Sequence, residues 1–166
     1  MDYRFTNEVH PARLDEVVAY MLGPRLWIPR IDYPDAEDWA QRAHGELKRH
    51  AKRALIALDG NDVIGVLVYQ RHKRRSDSLE LKHLTVRPDR RGRFVASFLI
   101  RNTEIEGQRE FGSRFAVADA KAHNVAIAAF LVRHCYHAVG RTDLYGLGAG
   151  DDVVYRKELS SQLSHF

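Results

Sequence analysis

The residues best placed for chemistry lie between Val86 and Ala96. An apolar strand ends there at Pro88, the chain turns through three arginines and Gly92, and a helix begins behind the turn. A helix N-terminus presents backbone N–H groups that have no intrahelical partner, together with the positive end of the helix dipole. Main-chain donors of this kind hold an anionic group, and flanking guanidinium groups add charge. The stretch therefore predicts a phosphate-binding cradle.

This stretch lacks the two best-known nucleotide motifs. A Walker loop needs lysine followed by serine or threonine after its second glycine. A dinucleotide-binding turn needs three spaced glycines and an acidic residue about 20 positions later. The run Arg90–Ala96 has neither pattern.

The segment resembles instead the acyl-CoA loop of the GNAT superfamily of N-acetyltransferases. That pattern is Arg or Gln, two variable residues, Gly, one variable residue, then Gly or Ala, and Arg91–Ala96 fits its first and last positions. Phe94 stands where the pattern has its inner glycine. Because a bulky side chain does not readily take glycine's backbone angles, we expect a tighter or differently shaped loop, with Phe94 packed under the helix. Its N–H remains a donor, so we expect phosphate binding to survive.

A second segment is similar to the later motif of the same family. Asn124 is placed to open a helix, and Phe130-Leu131 follows two turns on. Cys135-Tyr136 stands where Gly-Phe is usual, and the run Val153–Leu159 resembles the final strand. The resemblance covers nearly the whole chain.

The resemblance implies acetyl-CoA as the acyl donor. The N–H groups of the turn would hold its pyrophosphate, with Arg90, Arg91 or Arg93 adding charge, and the strand edge Leu84–Val86 would pair with its pantetheine arm. The residues implied to bind the cofactor are Leu84, Thr85, Val86, Arg91, Gly92, Arg93, Phe94, Val95, Ala96, Asn124 and Phe130. The alternative is an arginine-rich surface turn with a helix behind it.

Acetyl transfer to an amine also needs a base that takes the ammonium proton. Glu80 stands where some family members carry a catalytic glutamate, and we expect burial to raise its pKa. His83 is the rival, because imidazole titrates near neutrality without any shift. A structural role is at least as good an interpretation for each residue, with Glu80 paired to Lys82 or another basic side chain.

The acid that protonates the departing thiolate has no candidate at its usual place. Leu131 stands where the family commonly has tyrosine, and Tyr136 and Tyr145 lie nearby in sequence. Cys135 is interpreted as a buried, small apolar residue. The run His134–His137 lacks a complete ligand set, so no metal site is predicted.

Apolar periodicity predicts the elements that position these groups. Strands are expected at Tyr3–Val9, Ala54–Leu58, Val63–Tyr69, Leu79–Val86, Phe115–Ala118 and Val153–Tyr155. A first helix is expected over Pro11–Met21, and a second is expected from about Asp35, with Trp39, Ala43 and Leu47 on one face. A third helix is expected after the arginine-rich turn, with an apolar stripe of Phe94, Val95, Phe98, Leu99 and Ile105. A fourth is expected from Asn124 to about His137. This order implies one GNAT-like α/β domain over residues 1–166, a mixed, mostly antiparallel sheet of about six to seven strands with helices on both faces.

Composition narrows the classes of partner. The 166 residues carry a net charge of +4 and a pI near 9.3, an excess that suits a phosphorylated ligand but is too small to indicate nucleic acid. One cysteine excludes an internal disulfide framework, and no signal peptide or bilayer-spanning run is visible, so we expect a cytoplasmic protein without a membrane partner. A homodimer is left open.

The sequence therefore predicts an acetyl-CoA-dependent N-acetyltransferase that acts on a primary amine of a small molecule, peptide or protein. Trp27, Tyr33 and Trp39 are candidates for the acceptor site, although such aromatic residues more often belong to a core. Phe94 and Leu131 motivate an alternative, a non-catalytic acyl-CoA-binding module. A further alternative is a toxin-type aminoacyl-tRNA acetyltransferase with Arg71–Arg75 on the RNA backbone, a run that otherwise indicates a solvated turn.

Overall fold

The computed structural model describes residues 3–7, 15 and 31–160. In chain order the elements of these ranges are β1 (Tyr3–Thr6), α1 (Ala36–Lys48), β2 (Arg53–Asp59), β3 (Asp62–Arg71), β4 (Ser78–Val86), α2 (Val95–Phe111), β5 (Phe115–Lys121), α3 (Val125–Arg133), β6 (His137–Thr142) and β7 (Asp152–Glu158). Apart from Asp15, the predicted helix Pro11–Met21 lies outside the described residues, as does Trp27. No helix in the described ranges has the length and apolar character of a bilayer span.

The strands form a seven-stranded sheet in the order β1-β2-β3-β4-β5-β7-β6. Four neighbouring pairs are antiparallel, namely β1 with β2, β2 with β3, β5 with β7 and β6 with β7. Strands β4 and β5 are parallel, as expected for strands joined through a helix, here α2. The predicted mixed, mostly antiparallel α/β sheet is confirmed.

The contacts within the chain divide it into two compact units. The first, called the hairpin unit, comprises residues 1–69 and 83–103, and the second, called the β5 unit, comprises residues 70–82 and 104–166. The organisation of residues 1–166 as a single domain stays a prediction.

The hairpin unit is built on the β2–β3 hairpin that turn chemistry predicted. Gly60 in the turn has φ +62°, a left-handed angle that glycine takes without steric cost. Helix α1 buries Ala40, Ala43 and Leu47, as its predicted face requires. The core cluster of the hairpin unit comprises Leu47, Ala54, Ile56, Leu58, Val63, Val66 and Val68, and Trp39 packs against this cluster.

Helix α2 packs closely on β3 at Gly65. A methyl group at Gly65 would lie 3.0 Å from Leu99 and 3.1 Å from Val95, so a side chain there would push the helix away. Val95 and Leu99 are buried, as the predicted stripe requires. The prediction that Phe98 and Ile105 belong to the buried stripe is wrong, because both side chains are exposed. The buried face of α2 includes Ile100 instead.

In the β5 unit a buried ion pair joins β5 to β7. Lys121 Nζ lies 3.0 Å from Asp152 Oδ1, and the two side chains are 1% and 0% exposed. The same lysine donates to the Gly150 carbonyl at 3.2 Å, and Asp152 Oδ2 accepts from the backbone N–H of Leu144 at 3.3 Å. The pair therefore holds both ends of the segment between β6 and β7.

Two predictions about the later motif are wrong. The helix does not continue to His137 but ends at Arg133, and β6 begins at His137. Cys135 is exposed rather than buried, and its φ of +66° belongs to the turn that separates helix from strand. A left-handed residue cannot continue a right-handed helix, so the backbone at Cys135 accounts for the early end of the helix.

Candidate functional site

The turn that is predicted to form the cradle lies between β4 and α2, and its role in phosphate binding stays a prediction. Pro88–Arg90 forms one turn of 3-10 helix, and α2 begins at Val95. Gly92 and Phe94 both have left-handed backbone angles, with φ of +71° and +62°. Two left-handed residues therefore separate the 3-10 turn from the helix.

Phe94 departs from the expectations for both its backbone and its packing. Its φ of +62° is a left-handed angle that glycine takes readily, and its side chain is 74% exposed rather than packed under the helix. An L-residue in this conformation costs roughly 1–2 kcal/mol and persists only where the surrounding structure holds it. The loop therefore has a backbone angle typical of glycine at a position where the sequence has phenylalanine.

Replacement of Phe94 tests this strain. We expect Phe94→Gly to be about 1 kcal/mol more stable to chemical denaturation than Phe94→Ala, since alanine keeps the steric cost of the left-handed angle and glycine removes it. Urea unfolding followed by circular dichroism measures the difference. Equal stability of the two variants would contradict the strained backbone, because at a residue with ordinary angles alanine is the more stable.

Four N–H groups of the cradle are available to a ligand. Within the described residues, no acceptor contacts the backbone N–H of Gly92, Phe94, Val95 or Ala96. In contrast, Arg91 N–H bonds to the Pro88 carbonyl at 3.2 Å. The available donors belong to the turn and to the first helical residues, where an anion is favoured.

The arginines of the cradle have different partners. Arg87 bonds to Asp89 at 2.7 Å, and Arg90 bonds to Asp59 at 3.0 Å. Arg91 Nε donates to the carbonyl of Val86 at 3.1 Å, which ties the turn back to the end of β4. Arg90 and Arg91 therefore support the shape of the cradle.

The predicted strand edge lies on β4. Leu84 is partly exposed, whereas Thr85 and Val86 are buried. The register of β4 with β5 covers Ser78 to Leu81, and β4 then continues to Val86. The edge residues therefore lie beyond the part of β4 that is in register with β5.

Both carboxylate oxygens of Glu80 accept hydrogen bonds from side chains. Lys82 Nζ donates to Oε1 at 2.8 Å, and Gln70 Nε2 donates to Oε2 at 2.6 Å. Desolvation raises the pKa of Glu80, but the hydrogen bonds and charge of these neighbours outweigh it and leave the pKa below its ordinary value of 4.5. The expectation of a raised pKa is wrong, and the catalytic assignment of Glu80 stays a prediction.

His83 is held by its neighbours in the hairpin unit. Its Nε2 lies 2.5 Å from the Thr85 hydroxyl oxygen, and its ring stacks on Trp39 with the ring centres 5.2 Å apart. Desolvation lowers the pKa of His83 to about 4, so the ring is neutral at pH 7. Of the aromatic residues that are candidates for the acceptor site, Trp39 packs between the His83 ring and the core of the hairpin unit.

Asp119 and Tyr145 form a pair in the β5 unit that sequence reasoning missed. The Tyr145 hydroxyl donates to Asp119 Oδ2 at 3.0 Å. Desolvation raises the pKa of Asp119, and desolvation with the nearby Asp119 carboxylate raises that of Tyr145. The available signal was an aspartate inside the small apolar run Ala116–Ala120, where an unpaired charge is costly.

The residues of the later motif have structural contacts. Asn124 caps α3 through a hydrogen bond to the N–H of Ile127 at 3.2 Å, as predicted, and Phe130 packs on His134. Leu131 is buried. The Tyr136 hydroxyl donates to Glu104 at 2.8 Å, and desolvation together with that carboxylate raises its pKa. The roles of Asn124 and Phe130 in cofactor binding stay predictions.

Comparisons with known proteins agree with this arrangement. A model of the acetyltransferase (GNAT) family matches residues 19–135, well over half of the chain. No curated protein sequence matches the chain.

In the described residues, no group of three or more His, Cys, Asp or Glu side chains could hold a metal ion.

Several solved structures share the fold. An N-acetyltransferase from Staphylococcus aureus Mu50 has a TM-score of 0.75 at 16% identity, with 95% of this chain and 99% of that chain covered. An aminoglycoside 6'-N-acetyltransferase complexed with coenzyme A has a TM-score of 0.71 at 16% identity, with 95% and 97% covered. The PaiA N-acetyltransferase from Thermoplasma acidophilum in complex with coenzyme A has a TM-score of 0.69 at 12% identity, with 96% and 100% covered.

Proposed function

Because this chain belongs to the GNAT family of acetyltransferases, we propose that it moves the acetyl group of acetyl-CoA to a primary amine of a small molecule, peptide or protein. The chain is an N-acetyltransferase by its family, and acetyl-CoA is its acyl donor. The amine attacks the thioester directly, without an acetylated residue of the protein as intermediate.

The observation that carries the proposal is the left-handed backbone at Gly92 and Phe94. It leaves the N–H groups of Gly92, Phe94, Val95 and Ala96 without acceptors among the described residues, so they are available to a pyrophosphate. The edge of β4 from Leu84 to Val86 is proposed to pair with the amide groups of the pantetheine arm. Acetyl-CoA supplies an activated acetyl carbon, and the protein supplies anchoring and proton transfer.

The observations favour an enzyme over a binding module. The binding module was motivated by Phe94, yet that residue takes a left-handed backbone angle of the kind that glycine adopts. Leu131 removes a candidate acid, but a thiolate is a tolerable leaving group, so turnover does not depend on that acid. In the run Arg71–Arg75, Arg71 ends β3 and lies over the ring of Phe111, and Lys73–Arg75 is exposed, as a solvated turn requires.

Two measurements test the proposal. Isothermal calorimetry is expected to show binding of acetyl-CoA, and a thiol-trapping reagent is expected to report CoA release that depends on an added primary amine. The amine panel comprises spermidine, kanamycin, tryptamine and a lysine-containing peptide. An absence of heat at any accessible acetyl-CoA concentration would exclude the proposed cradle. Binding without amine-dependent release would favour the module.

A further inference from the structure

We infer that a basic surface of the β5 unit binds the phosphodiester backbone of a nucleic acid duplex, through residues other than those of the cradle. The surface is formed by the turn between β3 and β4, the start of β5 and the end of β7. Its cations are Arg71, Lys73, Arg74, Arg75, Arg114 and Arg156, and its carboxylates are Asp77 and Glu158.

Backbone hydrogen bonds join the segments that carry these cations. The N–H groups of Arg114 and Phe115 both donate to the carbonyl of Asp77, at 2.8 and 3.2 Å. The N–H of Ser78 donates to the carbonyl of Arg75 at 3.0 Å, and Ser78 pairs with Phe115 in the register of β4 with β5. The cations therefore lie on one continuous surface, although residues 75 and 114 are far apart in sequence.

Aromatic rings position three of the guanidinium groups. Arg156 lies 3.7 Å and Arg114 lies 5.5 Å from the centre of the Phe115 ring. Arg71 lies 5.5 Å from the centre of the Phe111 ring, and it also donates to the Phe111 carbonyl at 3.5 Å. A guanidinium that stacks on a ring keeps N–H donors at its edge for an anion. The rings therefore orient these cations before a ligand arrives.

The turn between β3 and β4 has an uncompensated positive charge. Lys73, Arg74 and Arg75 are exposed, and in the described part of the chain their side chains have no ion-pair partner. The Asp77 carboxylate accepts a hydrogen bond from the Ser78 hydroxyl at 3.0 Å. Glu158 lies 3.9 Å from Arg114, on the other side of the surface in sequence. Neither carboxylate neutralises the three cations of the turn.

The chemistry of the surface favours a phosphate chain over an acidic protein. Arginine supplies all but one of its cations, and the planar guanidinium matches phosphate with two parallel hydrogen bonds. Protein interfaces are centred on buried apolar and aromatic anchors, whereas none of the residues that form this surface is an exposed large apolar side chain. Contacts to phosphate need charge and no such anchor. The net charge of +4 indicates no nucleic acid by itself, but folding gathers these cations on one surface.

The test titrates a fluorescein-labelled RNA duplex with the full chain and follows fluorescence anisotropy at several salt concentrations. The parent is expected to bind, with an affinity that falls as salt rises and does not change when the duplex sequence is scrambled. Each phosphate contact contributes about 0.9 to the slope of log affinity against log salt, so Arg74→Gln with Arg75→Gln should reduce the slope by about 1.8 and the affinity at about 0.1 M salt by about 60-fold. Thermal stability should stay parental, because both side chains are exposed.

Arg101→Gln with Arg133→Gln is the matched control. It removes the same charge from exposed positions on α2 and α3, and parental affinity and slope are expected. An equal loss in both double variants contradicts a localised surface and indicates an effect of net charge alone.

Three other results overturn the inference. The first is a parent protein that does not bind the duplex at low salt. The second is equal affinity for a polyglutamate peptide or for vesicles that contain phosphatidylserine, which would indicate an acidic protein or a membrane as the partner. The third is loss of duplex binding in saturating acetyl-CoA, which would assign the duplex to the cradle. Amine-dependent CoA release enters none of these outcomes, so failure of the proposed function is recognised separately.

Discussion

Gly92→Val is expected to weaken acetyl-CoA binding by at least about 100-fold. Gly92 has φ +71°, an angle at which a β-branched residue is a steric outlier. The loop is therefore expected to relax to an extended angle and to turn its N–H groups away from the pyrophosphate. Loss of two charge-assisted hydrogen bonds of about 1.5 kcal/mol each corresponds to this factor, at about 1.4 kcal/mol for each tenfold change.

Gly112→Val is the matched control for Gly92→Val. Gly112 has φ +64°, and a methyl group at either glycine meets nothing within 4 Å, so the two substitutions introduce similar backbone strain. Gly112 lies in the turn between α2 and β5, and none of the cradle contacts described above involves it. Calorimetry should give the parental acetyl-CoA affinity for Gly112→Val and the large loss for Gly92→Val. Equal affinities for the two variants would show that the shape of this turn does not govern binding.

Lys121→Met is expected to reduce the free energy of unfolding by about 3–5 kcal/mol, because it leaves Asp152 as a buried charge without its partner. The two side chains are 1% and 0% exposed, so water cannot replace the lost interaction. The variant also removes the hydrogen bond to Gly150 that holds the segment carrying Tyr145. Urea unfolding measures the loss.

Two further variants distinguish the effect of burying an unpaired charge on stability from the effect of losing an ion pair. Arg141→Met breaks an exposed pair with Asp151 of similar length, 2.9 Å, and is expected to change stability by no more than about 1 kcal/mol. The double variant Lys121→Met with Asp152→Leu is expected to recover most of the lost stability, because no unpaired charge remains buried. If Lys121→Met were no more destabilising than Arg141→Met, the buried pair would not stabilise the β5 unit.

The position of the cradle could be predicted because its signals are local. Pro88, the arginines and Gly92 are consecutive in sequence, and the start of α2 behind them is set by the apolar face that includes Val95. The site chemistry was less predictable. Glu80 was expected to be activated by burial, but its pKa is governed by Lys82 and Gln70, and the contact to Gln70 joins two different strands.

The sequence by itself determined the β2–β3 hairpin, the Asn124 cap and the cradle, because turn residues, capping side chains and apolar periodicity act within a few positions of the chain. Only the tertiary structure decided that Phe94 adopts a left-handed angle, that Cys135 is exposed and that Asp119 meets Tyr145, 26 residues away. Backbone strain is tolerated only where neighbouring packing holds it, and a pKa depends on charges brought together by folding. Neither quantity can be obtained from adjacent residues alone.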